Sequence, residues 1–511
     1  MANFFENKDR RVIPNWRSFN KTVILGELNA IVTPENQLQT LSISDYENDW
    51  INNHRESFAG DLISASISNN IVTQNVKDAA QFLLRGGNKS TRSQISLAKS
   101  IISDPSETEK LKRLENLTFD SYHELVDRQK ICNRIKFTKR KILRYPLNSI
   151  NYVDLARDYS ILGQKIKAMA SIKKALALSP HNRFVLRSAV RLLTHYEDID
   201  YAHDLIRNNP LTLIDPWVTS AEIAVSTLRG RNSRFIKKGL SLLQSKNFSD
   251  FNITELASSL GTVELLNGSH KKSRNLFLTA YRDPNDNSMA QIEWASSKDS
   301  KIQFENKGQI NHNFEALALD KFYSKDYDTS INYIFRWFLD QPFTKRPVML
   351  GAHIASSFLK DQEKSRNFLR AGLISHPSDP QLINNLAYSL ALENRTDEAL
   401  EQLNSINNLT SVSETTRICL LATTGLVNFR KGLHEEGRKM YLQSMEQSKS
   451  INNEYYNWLA LLNYAREEIM IKSENVDEII ELVGKIPDSN EDAEIKNLKR
   501  EVLERYSKLK Q

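Results

Sequence analysis

Eight basic side chains and no acid fall within residues 128–145, RQKICNRIKFTKRKILRY: Arg128, Lys130, Arg134, Lys136, Lys139, Arg140, Lys141 and Arg144. Cationic groups at this density neutralise phosphate or an acidic protein surface, and each neutralised phosphate steepens the salt dependence of binding. Ile131, Ile135, Ile142 and Tyr145 recur at helical spacing, so the run predicts an amphipathic helix with a packing stripe and a positive outer face. Only Phe137 and Tyr145 are aromatic, too few for a platform on which bases stack. The plain counterpart is a solvated helix face.

A second cationic pattern follows. Arg183, Arg187 and Arg191 stand four residues apart, which places three guanidinium groups along one helical stripe. Arginine forks suit carboxylate or phosphate, which they can grip with two parallel hydrogen bonds. His195 lies one turn beyond Arg191, and the spacing alone predicts a surface pair.

Other stretches carry no chemistry. RGGNKST at 85–91 suggests a phosphate loop, but Asn88 occupies the position before the lysine where that loop needs glycine. An inter-helix loop is the expectation there. The ten histidines show no metal spacing, and there is no HExxH, CxxC or nucleophile elbow. Cys132 and Cys419 sit in apolar helical patterns and are expected to be small core residues. The sequence therefore predicts no catalytic residues, no metal and no cofactor: a protein that is not an enzyme.

The elements that must position these side chains are helices. Glycine (16) and proline (13) are scarce in 511 residues, and 40% of the chain is hydrophobic. Few breakers and ample apolar content favour long helices over turn-rich sheets. No run approaches the roughly 18 consecutive apolar residues of a membrane helix, and the first residues lack a signal peptide's apolar core. A cytoplasmic chain without membrane contact is the expectation. Charge is uneven: residues 1–378 carry net +13 and residues 379–511 net −6. Such a basic body with an acidic end suits an anionic partner, or head-to-tail pairing with itself.

Residues 152–180, YVDLARDYSILGQKIKAMASIKKALALSP, show how the helices are arranged. Leu155, Tyr159 and Leu162 share one helix face. Gly163 stops that helix, because glycine takes the left-handed conformation without strain. Ala168, Ile172, Ala175 and Leu176 form the stripe of a second helix, which Pro180 ends. Ala156 and Ala168 are short where two antiparallel helices must approach closely.

This hairpin resembles a tetratricopeptide repeat, a helix–turn–helix unit of about 34 residues. With the unit starting at Ser149, Tyr152, Leu155, Ala156, Tyr159, Gly163, Ala168, Ile172, Ala175 and Pro180 all fall on signature positions. One repeat cannot bury its own apolar face, so others should follow. Looser copies do, carrying Ala202 and Pro210, Ala221 and Leu240, Gly261 and Ser273, Ala318 and Ser330, Ser365 and Pro377, Ala387 and Ala399, then Gly425 and Gly437. The resemblance implies an all-α fold, a right-handed solenoid of helix hairpins. Its domains would be a helical leading region of unknown type at 1–148, repeats at 149–449 with an irregular joint near 285–310, and capping helices at 450–511. In the leading region, boxes at 44–47 and 121–124 mark helix starts, with helices expected at about 56–67, 73–85, 92–103 and 107–116. The aperiodic first forty residues are expected to serve as a docking arm.

In proteins of this family the first helix of each unit lines a concave groove. The resemblance puts Arg157, Arg187 and Arg191 on that surface, where they suit a carboxylate-bearing or phosphorylated segment. Val153 and Arg157 stand where the family's chaperone-tail clamp has lysine and asparagine, so that specificity is not expected. The resemblance implies a protein-interaction scaffold that grips a partner segment; such proteins in bacteria often belong to multi-gene systems, including anti-phage defence. The alternative is a nucleic-acid-binding repeat protein using Lys130, Arg134, Lys136, Lys139, Arg140, Lys141 and Arg144.

Overall fold

The structure, a computed structural model, describes residues 10–18, 43–69, 71–86, 90, 92–102, 126–245, 247–304, 310, 312–406, 412–487 and 492–511. The chain divides into two compact units: residues 23–122, and residues 1–22 together with 123–511. Among the described residues there is no β-strand.

The smaller unit contains α1 (Ile43–Asn52), α2 (Glu56–Asn69), α3 (Gln74–Arg85) and α4 (Arg92–Ile102). Trp50, Leu62, Ile63, Val76, Leu83 and Ile101 form its core. Thr73 begins α3 by accepting the Val76 N–H, the local bond that satisfies an otherwise orphaned amide. The helices expected at 56–67, 73–85 and 92–103 are present. The one expected at 107–116, the box at 121–124 and most of the 85–91 loop lie outside the described residues.

The larger unit starts with α5 (Arg128–Arg144) and continues as paired helices: α6 (Ser149–Ile161) with α7 (Lys165–Leu178), α8 (Arg183–His195) with α9 (Ile199–Arg207), and α10 (Pro216–Leu228) with α11 (Ile236–Gln244). Then come α12 (Asp250–Leu266) with α13 (His270–Tyr281), and the buried α14 (Asp286–Ser296) within the expected joint. The stack resumes as α15 (Phe314–Tyr323) with α16 (Tyr327–Asp340), α17 (Lys345–His353) with α18 (Gln362–Ser375), and α19 (Pro380–Leu392) with α20 (Thr396–Asn404). It ends as α21 (Glu414–Arg430) with α22 (His434–Ser450), α23 (Glu454–Ile471) with α24 (Val476–Gly484), and α25 (Ala493–Lys510).

One local rule builds the hairpins. Gly163 donates to the Ser160 carbonyl and Gln164 to the Tyr159 carbonyl, the paired bonds that close a helix through a left-handed residue. The same left-handed backbone recurs at Glu197, Gly268, Lys325, Lys360, Asn394 and Gly432. Five residues after each of these positions, including Gly163, stands a small buried side chain or none: Ala168, Ala202, Ser273, Ser330, Ser365, Ala399 and Gly437. The serine hydroxyls remain satisfied by donating across the hairpin, Ser273 to the Gly261 carbonyl and Ser330 to that of Ala318. At these seven turns the reversal is followed by a site where the two helices touch; the left-handed Gly230 and Lys472 instead stand five residues before Phe235 and Asp477. These turns and this packing make the larger unit a tetratricopeptide-like helical solenoid.

The solenoid curls until distant hairpins meet. A Cβ on Gly163 would lie 2.6 Å from the Ile374 carbonyl oxygen at the end of α18. The His195 ring at the end of α8 lies edge-on to His376, with centroids 4.6 Å apart. At the other end, Ile495, Leu498 and Val502 of α25 are buried, with α23 as the neighbouring layer, while most of its charged residues stay exposed.

Two local expectations are corrected. Tyr145 is 65% exposed and does not join the stripe in which Ile131 and Ile135 are buried, because α5 ends at Arg144 and its backbone departs there. Arg191 and His195 are not a surface pair. The returning hairpin covers both, an event that the four-residue spacing within α8 does not encode. Cys419 is buried and Cys132 half-buried.

Candidate functional site

Residues 10–18, RRVIPNWRS, lie without helical structure inside the larger unit. Burial alternates along them: Arg10, Val12, Pro14 and Trp16 are buried, with half-buried residues between, the two-residue period of an extended chain. Trp16 is fully buried and sets its ring edge against Phe343 with centroids 5.3 Å apart. Ile13 packs against a cluster containing Val190, Leu193 and Ala202.

Side chains of α14 and α6 hold this segment through its main chain. The Gln291 amide donates to the Arg10 carbonyl at 2.9 Å, and Asn287 to the Ile13 carbonyl at 3.0 Å. Arg157 Nε donates to the Trp16 carbonyl at 3.2 Å. The three carbonyls are three residues apart, a regular ladder from two inner helices, α14 and α6.

Two arginines of the segment enter acidic pockets. Arg10 makes a fork with Glu315, at 2.9 and 3.0 Å, and also donates to Asn287 at 2.8 Å and Gln291 at 2.9 Å. Arg346 reaches the same Glu315 carboxylate at 3.0 Å. Burial by itself would raise the Glu315 pKa, but Arg10 and Arg346 pull it down to about 2. Arg17 donates to both Asp340 oxygens, at 3.0 and 2.7 Å, and to Asp286 at 2.6 Å. Burial would lower the Arg17 pKa; the two aspartates more than reverse this and hold it above its ordinary value. Asn15 also donates to Asp286, at 2.6 Å.

The structure places Arg157, Arg187 and Arg191 inside the unit, each already engaged. Arg157 is buried and donates to the Asp340 carbonyl as well as to Trp16; burial lowers its pKa, partly offset by Asp158. Arg187 pairs with buried Glu255 at 2.8 Å and donates to the Trp217 carbonyl. Arg191 donates to the Thr344 hydroxyl at 3.0 Å and lies over the Phe343 ring; burial pushes its pKa down to about 10. These arginines serve the inner wall, and Arg157 touches the seated segment.

Sequence reasoning missed Asp286, Asn287, Gln291, Glu315 and Asp340. They fall in the joint or at helix ends, where repeat offsets give no direction. The alternation Arg10, Val12, Pro14, Trp16 was the available signal for the segment.

On α5, Arg128, Lys130, Arg134, Lys136, Lys139, Arg140 and Arg144 are exposed and Lys141 is half-buried. Arg134 is committed to Asp158. No group of histidine, cysteine, aspartate and glutamate among the described residues could hold a metal ion. No helix among them is long and apolar enough to cross a membrane.

The contact between His195 and His376 has its own titration. Burial lowers the His376 pKa to about 4, with Lys345 and Arg191 acting in the same sense against Asp379. Burial, His376, Arg191 and Lys165 hold His195 well below its ordinary value. Between about pH 6.5 and 4 the unfolded chain binds protons that the folded pair refuses, so stability falls as pH falls through that window. Thermal unfolding followed at pH 7.5 and pH 5 should show a midpoint drop that His376→Gln reduces. An unchanged drop would remove His376 as its source.

No family model matches the sequence, and no curated protein matches it. Among solved structures, yeast Tom70 aligns at 14% identity over 93% of this chain and 96% of that one, with a TM-score of 0.30. The Naa15/Naa10 complex bound to HypK-THB aligns at 10% identity over 89% and 87%, with a TM-score of 0.20. A circular tandem repeat protein with novel repeat topology aligns at 12% identity over 95% and 96%, with a TM-score of 0.14. At such scores the assignment as a helical solenoid rests on the turns and packing of this chain itself.

Proposed function

We propose that this chain is a non-enzymatic interaction scaffold whose inner surface grips an extended protein segment. The observation that carries the reading is the seating of residues 10–18, with three main-chain carbonyls and two arginines all held by groove side chains. A surface that already binds one extended strand through its backbone has the chemistry to bind another. The test is recovery of the full-length protein from its native host at low salt, with and without nuclease. A stoichiometric protein that survives nuclease and is lost from Asn287→Ala/Gln291→Ala supports the scaffold. Capture indifferent to those substitutions would move the binding surface elsewhere.

The exposed basic face of α5 favours a second reading, nucleic-acid binding. If it holds, Lys139→Glu/Arg140→Glu/Lys141→Glu should abolish RNA or DNA recovery, and wild-type affinity should fall steeply with added salt. Binding that survives both salt and substitution would exclude α5 as the site.

A further inference from the structure

We propose that the groove selects an extended protein segment carrying two arginines seven residues apart, and that residues 10–18 are its displaceable resident. The inference rests on the segment-binding reading above and specifies the partner class.

Selectivity follows from what the groove would lose with any other occupant. Glu315, Asp286 and Asp340 come from three helices and are largely shielded from solvent, with side-chain exposures of 13, 14 and 4%. With Arg10 and Arg17 withdrawn, Glu315 keeps Arg346 and Asp340 keeps His312 at 3.4 Å, but the paired forks are broken. An acidic or apolar segment would leave these carboxylates under-compensated in a low-dielectric site, which opposes its binding strongly. A segment with arginines at the same spacing restores each contact one for one.

The remaining recognition does not depend on residue type. Gln291, Asn287 and Arg157 address carbonyls, which every residue has, so positions between the arginines are constrained mainly by the seats of Val12, Pro14 and Trp16. The resident therefore acts as a competitor tied to the groove by the chain itself. Such tethering makes the resident's competition intramolecular, so an added peptide faces a handicap until the resident is weakened.

The test uses a fluorescently labelled peptide of sequence RRVIPNWRS and the full-length protein, followed by anisotropy. Full-length Trp16→Ala/Arg17→Ala should bind the peptide at least about tenfold tighter than wild type, because its tethered competitor is weakened. A peptide with both terminal-pattern arginines, those matching Arg10 and Arg17, replaced by glutamate should not bind. Equal binding to both proteins, binding of the glutamate peptide, or no binding to either folded protein would overturn the proposal.

If the double variant does not fold, hydrogen exchange of the wild-type chain decides. Amides of residues 12–17 exchanging through local opening, faster than the helices of the larger unit, support a displaceable resident. Exchange only with global unfolding makes the segment a fixed part of the fold and overturns it. In that case a stoichiometric, nuclease-resistant partner recovered with the wild-type chain would still sustain the scaffold reading, on a surface other than the one residues 10–18 cover.

Discussion

Arg17→Ala should lower the unfolding free energy by about 3–5 kcal/mol at pH 7. The guanidinium sits between Asp286 and Asp340 and bonds to both. Removing one partner of a buried pair leaves the other's desolvation uncompensated, which costs more than the pair contributed. Acid should distinguish this loss from a lost packing contact. Burial raises the Asp340 pKa, but Arg17 reverses this and, with His312 and Arg157, holds it below the ordinary carboxylate value. In wild type that depressed value adds stability above the unfolded pKa of about 3.9, and the gain disappears as pH falls through the folded value. Without Arg17 the carboxylate pKa moves up and the ionised form becomes the burden. The gap between wild type and variant should therefore narrow between pH 7 and pH 4. Chemical denaturation at those two values measures it, and a constant gap would assign the loss to packing alone.

Gly163→Ala should cost about 2–5 kcal/mol, whereas Gly268→Ala should cost only about 1–3. Both residues are left-handed, with φ of 68° and 76°, and an added methyl group is strained at either. They differ in surroundings. The Gly163 methyl group would meet the Ile374 carbonyl oxygen at 2.6 Å and Pro377 at 3.1 Å, while nothing lies within 4 Å at Gly268. Backbone on the far side cannot swing away like a flexible side chain. The difference between the two variants isolates the contact by which the first hairpin meets α18. Equal losses would mean that this contact opens freely in solution.

The hairpin at 149–180 was legible because its turn uses glycine and its close approach uses alanine, both readable as letters. Elsewhere the same backbone is built from other residues. Glu197, Lys325, Lys360 and Asn394 adopt the left-handed turn, and Ser330 and Ser365 fill the small position while keeping their hydroxyls bonded. The physical requirement stayed constant while the residue types changed, so the signature blurred after the first unit. The inward arginines were legible from repeat offset, but their partners were not. Arg191 reaches Thr344 and Arg157 reaches Asp340 across the curl of the solenoid, and no local spacing records that meeting. The seated segment was hidden differently: a single nine-residue alternation has too few periods to stand out from aperiodic sequence.

The residues that hold the segment also set a schedule for its folding. Residues 10–18 leave the ribosome well before the side chains that receive their arginines, at 286, 315 and 340. At about 5–20 residues per second, some tens of seconds of translation separate the two. During that interval the nascent chain presents two arginines and an uncovered tryptophan, with Arg157 the earliest of the segment's partners to be made. Whatever binds such a stretch in that time, chaperone or partner, meets it before the chain's own helices do.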